Sequence, residues 1–86
     1  MSITAYVQGS KDPASPGRLT EDSTITIEGA TYDIPERGWY GPDRKPSRAA
    51  PHRISAALES ADYQRAYSDL SGPDENGVFE IQVVKA

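Results

Sequence analysis

The chain has no cysteine, a single histidine and no long run of apolar residues. The first absence rules out disulfide staples and thiolate chemistry. The second leaves carboxylates as almost the sole candidates for a metal site, which needs three or four ligands at usable spacing. The third leaves nothing near the ~18 apolar residues that cross a membrane. Large aliphatic side chains are scarce as well. Leu, Ile, Val and Phe make up about 16% of the chain, below the rough 20% at which chains tend towards disorder. The net charge of −4 is too modest to force disorder, and five Tyr and one Trp add area that can be buried. The expectation is a thin core, to which a second subunit or a target could contribute.

A chain of 86 residues makes one domain, residues 1–86. Its first residues, Met-Ser-Ile-Thr-Ala-Tyr-Val-Gln, lack the basic region and apolar run of a secretory leader. A soluble, cytoplasmic protein is therefore expected, with no membrane association. Charge is unevenly placed. Between Arg37 and Arg53 lie five basic residues and one acidic, Asp43, while the rest of the chain carries four basic and twelve acidic residues. An acidic body thus bears one basic segment.

Periodicity gives the elements. Ile3, Ala5 and Val7 alternate with Thr4, Tyr6 and Gln8, the pattern of a half-buried strand. The stretch 9–20, with Pro13, Pro16 and Gly17, reads as a loop. Two alternating runs flank Glu28-Gly29. A turn there pairs Ile27 with Ala30, Ile25 with Tyr32 and Ser23 with Ile34, and sends all the apolar members to one face. Glu-Gly is a weaker turn pair than Asn-Gly, so a bulged turn stays open. Residues 35–51, rich in Pro, Gly and Arg, read as a long loop. Pro51 to Leu70 reads as helix, stopped by Ser71-Gly72-Pro73. Its apolar residues split into Ile54, Ala57, Leu58 and Ala61 on one face and Tyr63, Ala66, Tyr67 and Leu70 on the other. That split predicts either a break near Ser60–Asp62 or one helix burying two faces. Val78 to Lys85 alternates with Phe79, Ile81 and Val83 inward. The expected fold is α+β: an antiparallel sheet of three to four strands, in the order β, β-hairpin, α, β, with one helix on one face.

Catalytic and cofactor motifs do not emerge. His52, at the helix start, needs a nucleophile and an orienting carboxylate to act as a base, and no nucleophile motif marks such a partner. Asp74-Glu75-Asn76-Gly77 lacks the calcium-loop pattern. Gly38-Trp-Tyr-Gly41 lacks phosphate-loop spacing, and Pro13-Ala-Ser-Pro16 is a minimal proline-rich pattern that chance supplies often. Glu59 and Asp62, and Asp62, Arg65 and Asp69, sit at helical neighbour spacing and read as a solvated, salt-bridged face. The expectation is a non-enzyme with no catalytic residue, metal or cofactor.

The segment with functional character is Arg37-Gly-Trp-Tyr-Gly-Pro-Asp-Arg-Lys-Pro-Ser-Arg48, which joins the three residue types enriched in binding hot spots. Arg37, Trp39, Tyr40, Arg44, Lys45 and Arg48 are the candidate partner-binding residues, with the Tyr63 and Tyr67 face as a second patch. Against this stands the reading that Trp39 folds back to cap the thin core. Basic residues with interleaved aromatics can also bind nucleic acid, but an isoelectric point near 4.8 opposes attraction to a polyanion. In overall style the chain resembles the small, acidic, enzyme-free inhibitors encoded by phages and mobile elements, among them the anti-CRISPR proteins. Those families share almost no motifs, so no residue carries over. The resemblance implies stoichiometric binding to a host effector complex, blocking its nucleic-acid channel or a subunit contact. The alternatives are a small structural or accessory subunit acting as a homo-oligomer, a homodimer for instance, and nucleic-acid binding through the basic segment at 37–53.

Overall fold

The computed structural model describes residues 2–66 and 70–86. Among the described residues it is an α+β fold of seven strands and one helix: β1 Ile3–Gln8, β2 Thr24–Ile27, β3 Ala30–Asp33, β4 Gly38–Tyr40, β5 Lys45–Ser47, α1 Ala50–Ser60, β6 Tyr63–Arg65 and β7 Val78–Lys85. Five strands form one antiparallel sheet in the order β3-β2-β1-β7-β6, and β4 and β5 form a separate ribbon.

The sheet is built on the alternation in the sequence. Its inner face carries Ala5, Val7, Ile25, Ile27, Ile81 and Val83, each at most 1% exposed, and α1 lays Ile54, Ala57 and Leu58 onto them. Burying each of the larger of these side chains stabilises the fold by about 1.5–3 kcal/mol. Phe79, Tyr32 and Leu19 pack at the margin of this core.

The first hairpin has the register expected of it, with Ile27 opposite Ala30 and Ile25 opposite Tyr32, and the Ile34 amide donates to the Ser23 carbonyl. The turn is the tight two-residue form: Glu28 and Gly29 both hold positive φ, 50° and 81°, which matches the right-handed twist of the strands. Ala30, expected inward, is exposed because β3 is a sheet edge.

Two expectations are corrected. The 35–51 segment is not a plain loop: it holds the β4–β5 ribbon, with Trp39 opposite Pro46 and Tyr40 opposite Lys45. Proline is tolerated in β5 because a two-stranded ribbon leaves outward-facing amides that need no ladder partner. The helix, in turn, does not run from Pro51 to Leu70. It ends at Ser60, and Asp62 turns the backbone into the left-handed region at φ 64°. The break expected near Ser60–Asp62 is therefore present, but a strand follows it. Tyr63, Gln64 and Arg65 pair with Lys85, Val84 and Val83, which adds a fifth strand to the sheet. A stretch this short fits the helical and the extended period equally well. The solvated helical face of Asp62 and Arg65 disappears with it; Tyr67 and Asp69 lie outside the described residues. The helix expected to stop at Ser71-Gly72-Pro73 ends at Ser60, and Ser71 bridges Glu80 of β7.

Candidate binding surface

The β4–β5 ribbon stands on the first turns of α1. Gly38 lies so close to the helix that a Cβ there would sit 1.9 Å from the His52 carbonyl oxygen. At the far end, Gly41 and Arg44 adopt positive φ, and the Arg44 amide donates to the Gly41 carbonyl at 3.1 Å. The ribbon is thus fixed at its base by packing and at its tip by a turn.

Successive strand residues face opposite ways, so Trp39 and Tyr40 point to the two sides of the ribbon. Trp39 is 45% exposed and Tyr40 61%. Neither is a core residue, so the reading in which Trp39 caps the core is replaced by one in which its ring edges a shallow cleft. That cleft, of about 250 Å³, is lined by Pro35, Arg37, Trp39, Ala56, Glu59 and Ser60. The Arg44 guanidinium sits 5.3 Å from the Trp39 ring centroid and reaches Glu59 Oε1 at 3.4 Å. Each contact contributes at most about 1 kcal/mol at an exposed site; together they hold the indole against the side of the helix. On the other side, the Tyr40 ring lies 5.4 Å from that of His52, tilted by 50°. Tyr40 and Lys45 also frame a small hollow with Gly41, Pro42 and Asp43 at the ribbon tip.

The candidate residues therefore divide. Arg37, Trp39 and Arg44 share one side of the ribbon, and Tyr40 and Lys45 meet at its tip. Arg48 stands apart, 3.9 Å from Glu36 and beside a different cleft. Tyr63 is half-buried on β6, and its hydroxyl donates to Glu28 Oε1 at 2.9 Å. That bond joins an edge strand to the turn of the first hairpin, across the curl of the sheet. The carboxylate contact raises the pKa of the Tyr63 phenol above its ordinary value. Tyr63 also lines a hollow next to Glu59, so Glu59 borders both the Trp39 cleft and this second patch. Arg65, whose Nη2 donates to the Pro51 carbonyl at 2.7 Å, ties β6 to the start of α1, and burial pushes its pKa down.

The fold also brings together a pair that the sequence did not flag: Ser47 Oγ and His52 Nδ1 share a hydrogen bond of 2.6 Å. The same hydroxyl accepts the Ala49 amide at 3.2 Å, which ties the end of β5 to the helix start. Among the described residues no carboxylate bonds the other His52 nitrogen, and no three His, Asp or Glu side chains gather at metal-binding distance. No described helix is long and apolar enough to cross a membrane.

Two further features escaped the sequence reading. Tyr6, 47% exposed on the open face of the sheet, borders a hollow with Ser71, Pro73 and Glu80; a strand reading marks such a residue only as outward-facing. Arg53 is the other. It reads as one of the basic segment's charges, yet it is 8% exposed. Its Nε donates to the Pro35 carbonyl and its Nη2 to the Thr20 carbonyl.

No protein-family model, no curated protein and no solved structure matches this chain.

Proposed function

We propose that this chain is a non-catalytic protein-binding module that docks through the β4–β5 ribbon. The observation that carries the reading is the exposure of Trp39 and Tyr40 on a packed, turn-capped ribbon. Exposed aromatics on a rigid support bring a large contact area at small entropic cost, as binding anchors do. Arg37 and Arg44 beside Trp39, and Lys45 beside Tyr40, add cations that would pair with carboxylates on the partner in a salt-sensitive way. The fitting partner is a protein surface with an apolar pocket rimmed by acidic groups. The acidic remainder of the chain would face away from it or against a basic groove. In line with the resemblance to phage-encoded inhibitors, the proposed role is obstruction of a host effector complex, such as a CRISPR-Cas complex, acting in the host cytoplasm. The Ser47–His52 pair has a sufficient role in joining β5 to α1.

Capture from a host lysate with immobilised wild-type protein, repeated with Trp39→Ala and Arg44→Ala, tests the docking. Circular dichroism of each variant establishes that it is folded. A protein retained by the wild type and lost by folded Trp39→Ala supports the reading, and equal retention overturns it. Light scattering at two concentrations separates the homo-oligomer: a stable oligomer that Trp39→Ala dissociates makes the ribbon a contact between copies. A gel shift that weakens steeply with salt would indicate nucleic acid instead.

A further inference from the structure

A cleft of about 680 Å³ opens beside the start of α1, lined among others by Arg18, Glu21, Glu36, Arg48, Ala50 and Arg53. Of the charged residues that line it, Arg53 is the buried one, 8% exposed. Two of its nitrogens are satisfied by backbone: Nε donates to Pro35 O at 2.9 Å and Nη2 to Thr20 O at 3.1 Å. Its third, Nη1, has no acceptor among the described residues and is not sealed from solvent. No described carboxylate lies within salt-bridge distance of the group. Carbonyl dipoles satisfy donors, but they do not supply the countercharge that a guanidinium withdrawn from water ordinarily has.

The surroundings favour the same sign of ligand. Helix α1 starts without a side-chain cap and without an acidic residue in its first turn. No side chain of its own first turn offsets its positive end. Ala50, on the cleft wall, has an amide with no acceptor among the described residues. Arg18 and Arg48 add charge from two separate segments. The competing acids are Glu21 and Glu36. Arg48 holds Glu36 only loosely, at 3.9 Å with both side chains more than two-thirds exposed, so that contact opens at little cost.

We propose that this cleft binds a single oxyanion group, the chemistry shared by a carboxylate and a phosphate. Arg53 Nη1 and the Ala50 amide are its donors, and Arg18 and Arg48 attract it. The site does not rest on the ribbon reading, since Trp39 and Tyr40 take no part in it.

The test is an amide-correlation NMR titration of the intact chain with sodium phosphate and, separately, sodium acetate, each against sodium chloride at matched ionic strength. The expected result is a saturable shift of the Ala50 amide and the Arg53 Nε–H with at least one of the two anions and none with chloride. Response to acetate alone assigns a carboxylate ligand, and response to phosphate alone a phosphate. Arg18→Gln/Arg48→Gln, which alters two exposed side chains, should weaken that anion about fivefold or more while leaving remote signals in place. Trp39→Ala should leave the titration unchanged, which separates failure here from failure of ribbon docking. Absence of saturation with both anions, shifts reproduced by chloride, or full affinity in the double variant overturns the site.

Discussion

Gly38 is closed against His52: a Cβ on the glycine would stand 1.9 Å from the His52 carbonyl oxygen and 2.7 Å from the Arg53 amide nitrogen. The neighbour is backbone, not the end of a flexible side chain, so the clash cannot be relieved by a rotamer change. Gly38→Ala must lift the ribbon from the helix, at a cost of about 1–3 kcal/mol. The expected outcome is a lower midpoint of urea unfolding with an unchanged slope. If the ribbon docks a partner, the same variant also loses affinity, because Trp39 is carried on the displaced strand. An unchanged midpoint would mean that the ribbon and helix are not packed as described.

Asp62 closes the helix from a left-handed backbone position, φ 64°. An L side chain there costs roughly 1–2 kcal/mol, and glycine removes that cost. The change also removes a negative charge from the helix C-terminus, where the dipole disfavours it. The greater freedom of glycine in the unfolded chain offsets part of the gain. Asp62→Gly should therefore raise stability by up to about 1 kcal/mol, or about 4–8 °C in melting temperature for a domain of this size. Calorimetry of the two proteins checks it, and a fall in melting temperature would contradict the cap geometry.

Legibility in the sequence followed the range of the interactions. Ile3, Ala5 and Val7, the Ile25–Tyr32 hairpin register and Ile81 with Val83 were all readable, because a period of two is a local property and one buried face imposes it. Tyr63 to Arg65 read as helix because three residues cannot distinguish a helix from a strand, and the choice is made by pairing with Val83–Lys85, a segment distant in the chain. The β4–β5 ribbon was hidden by Pro46, which argues against a strand in any larger sheet. Its aromatic and basic residues were legible, and their division between two sides of the ribbon was not. The Arg53 cleft had no sequence signature, because Thr20, Pro35 and Arg53 come from three separate segments.

Tyr63 gives a pH-dependent prediction. Its phenol donates to Glu28, and that bond holds its pKa above the ordinary 10.0. The protonated phenol is the form that the fold favours, so the contribution is fully present below pH 10. It is lost as pH rises through the raised folded value. Tyr63→Phe should lower the unfolding midpoint at pH 8, with a difference that narrows as the pH is taken above about 10. Parallel urea melts of both proteins across that range measure it. A difference that stays constant to high alkali would show that the hydroxyl does not make this bond in solution.

Arg53 fastens three segments with one side chain. Through its Nε and Nη2 it draws the Thr20 and Pro35 carbonyls to α1. Arg53→Met keeps most of the apolar stem but leaves both carbonyls without that donor. Each loses about 1–3 kcal/mol if it stays buried, and less if water reaches it through the adjoining cleft. Removal of a cation that lacks a countercharge works the other way, because its desolvation cost disappears. The carbonyl term prevails, since two acceptors lose their donor, and the net expectation is a loss of about 1–3 kcal/mol in urea unfolding. Arg53→Lys, with a single compact ammonium that cannot fork between two carbonyls, should recover only part of that loss. If Met proves as stable as Arg, the two carbonyl contacts contribute nothing net. If Lys restores full stability, the fork geometry is not what holds the segments together.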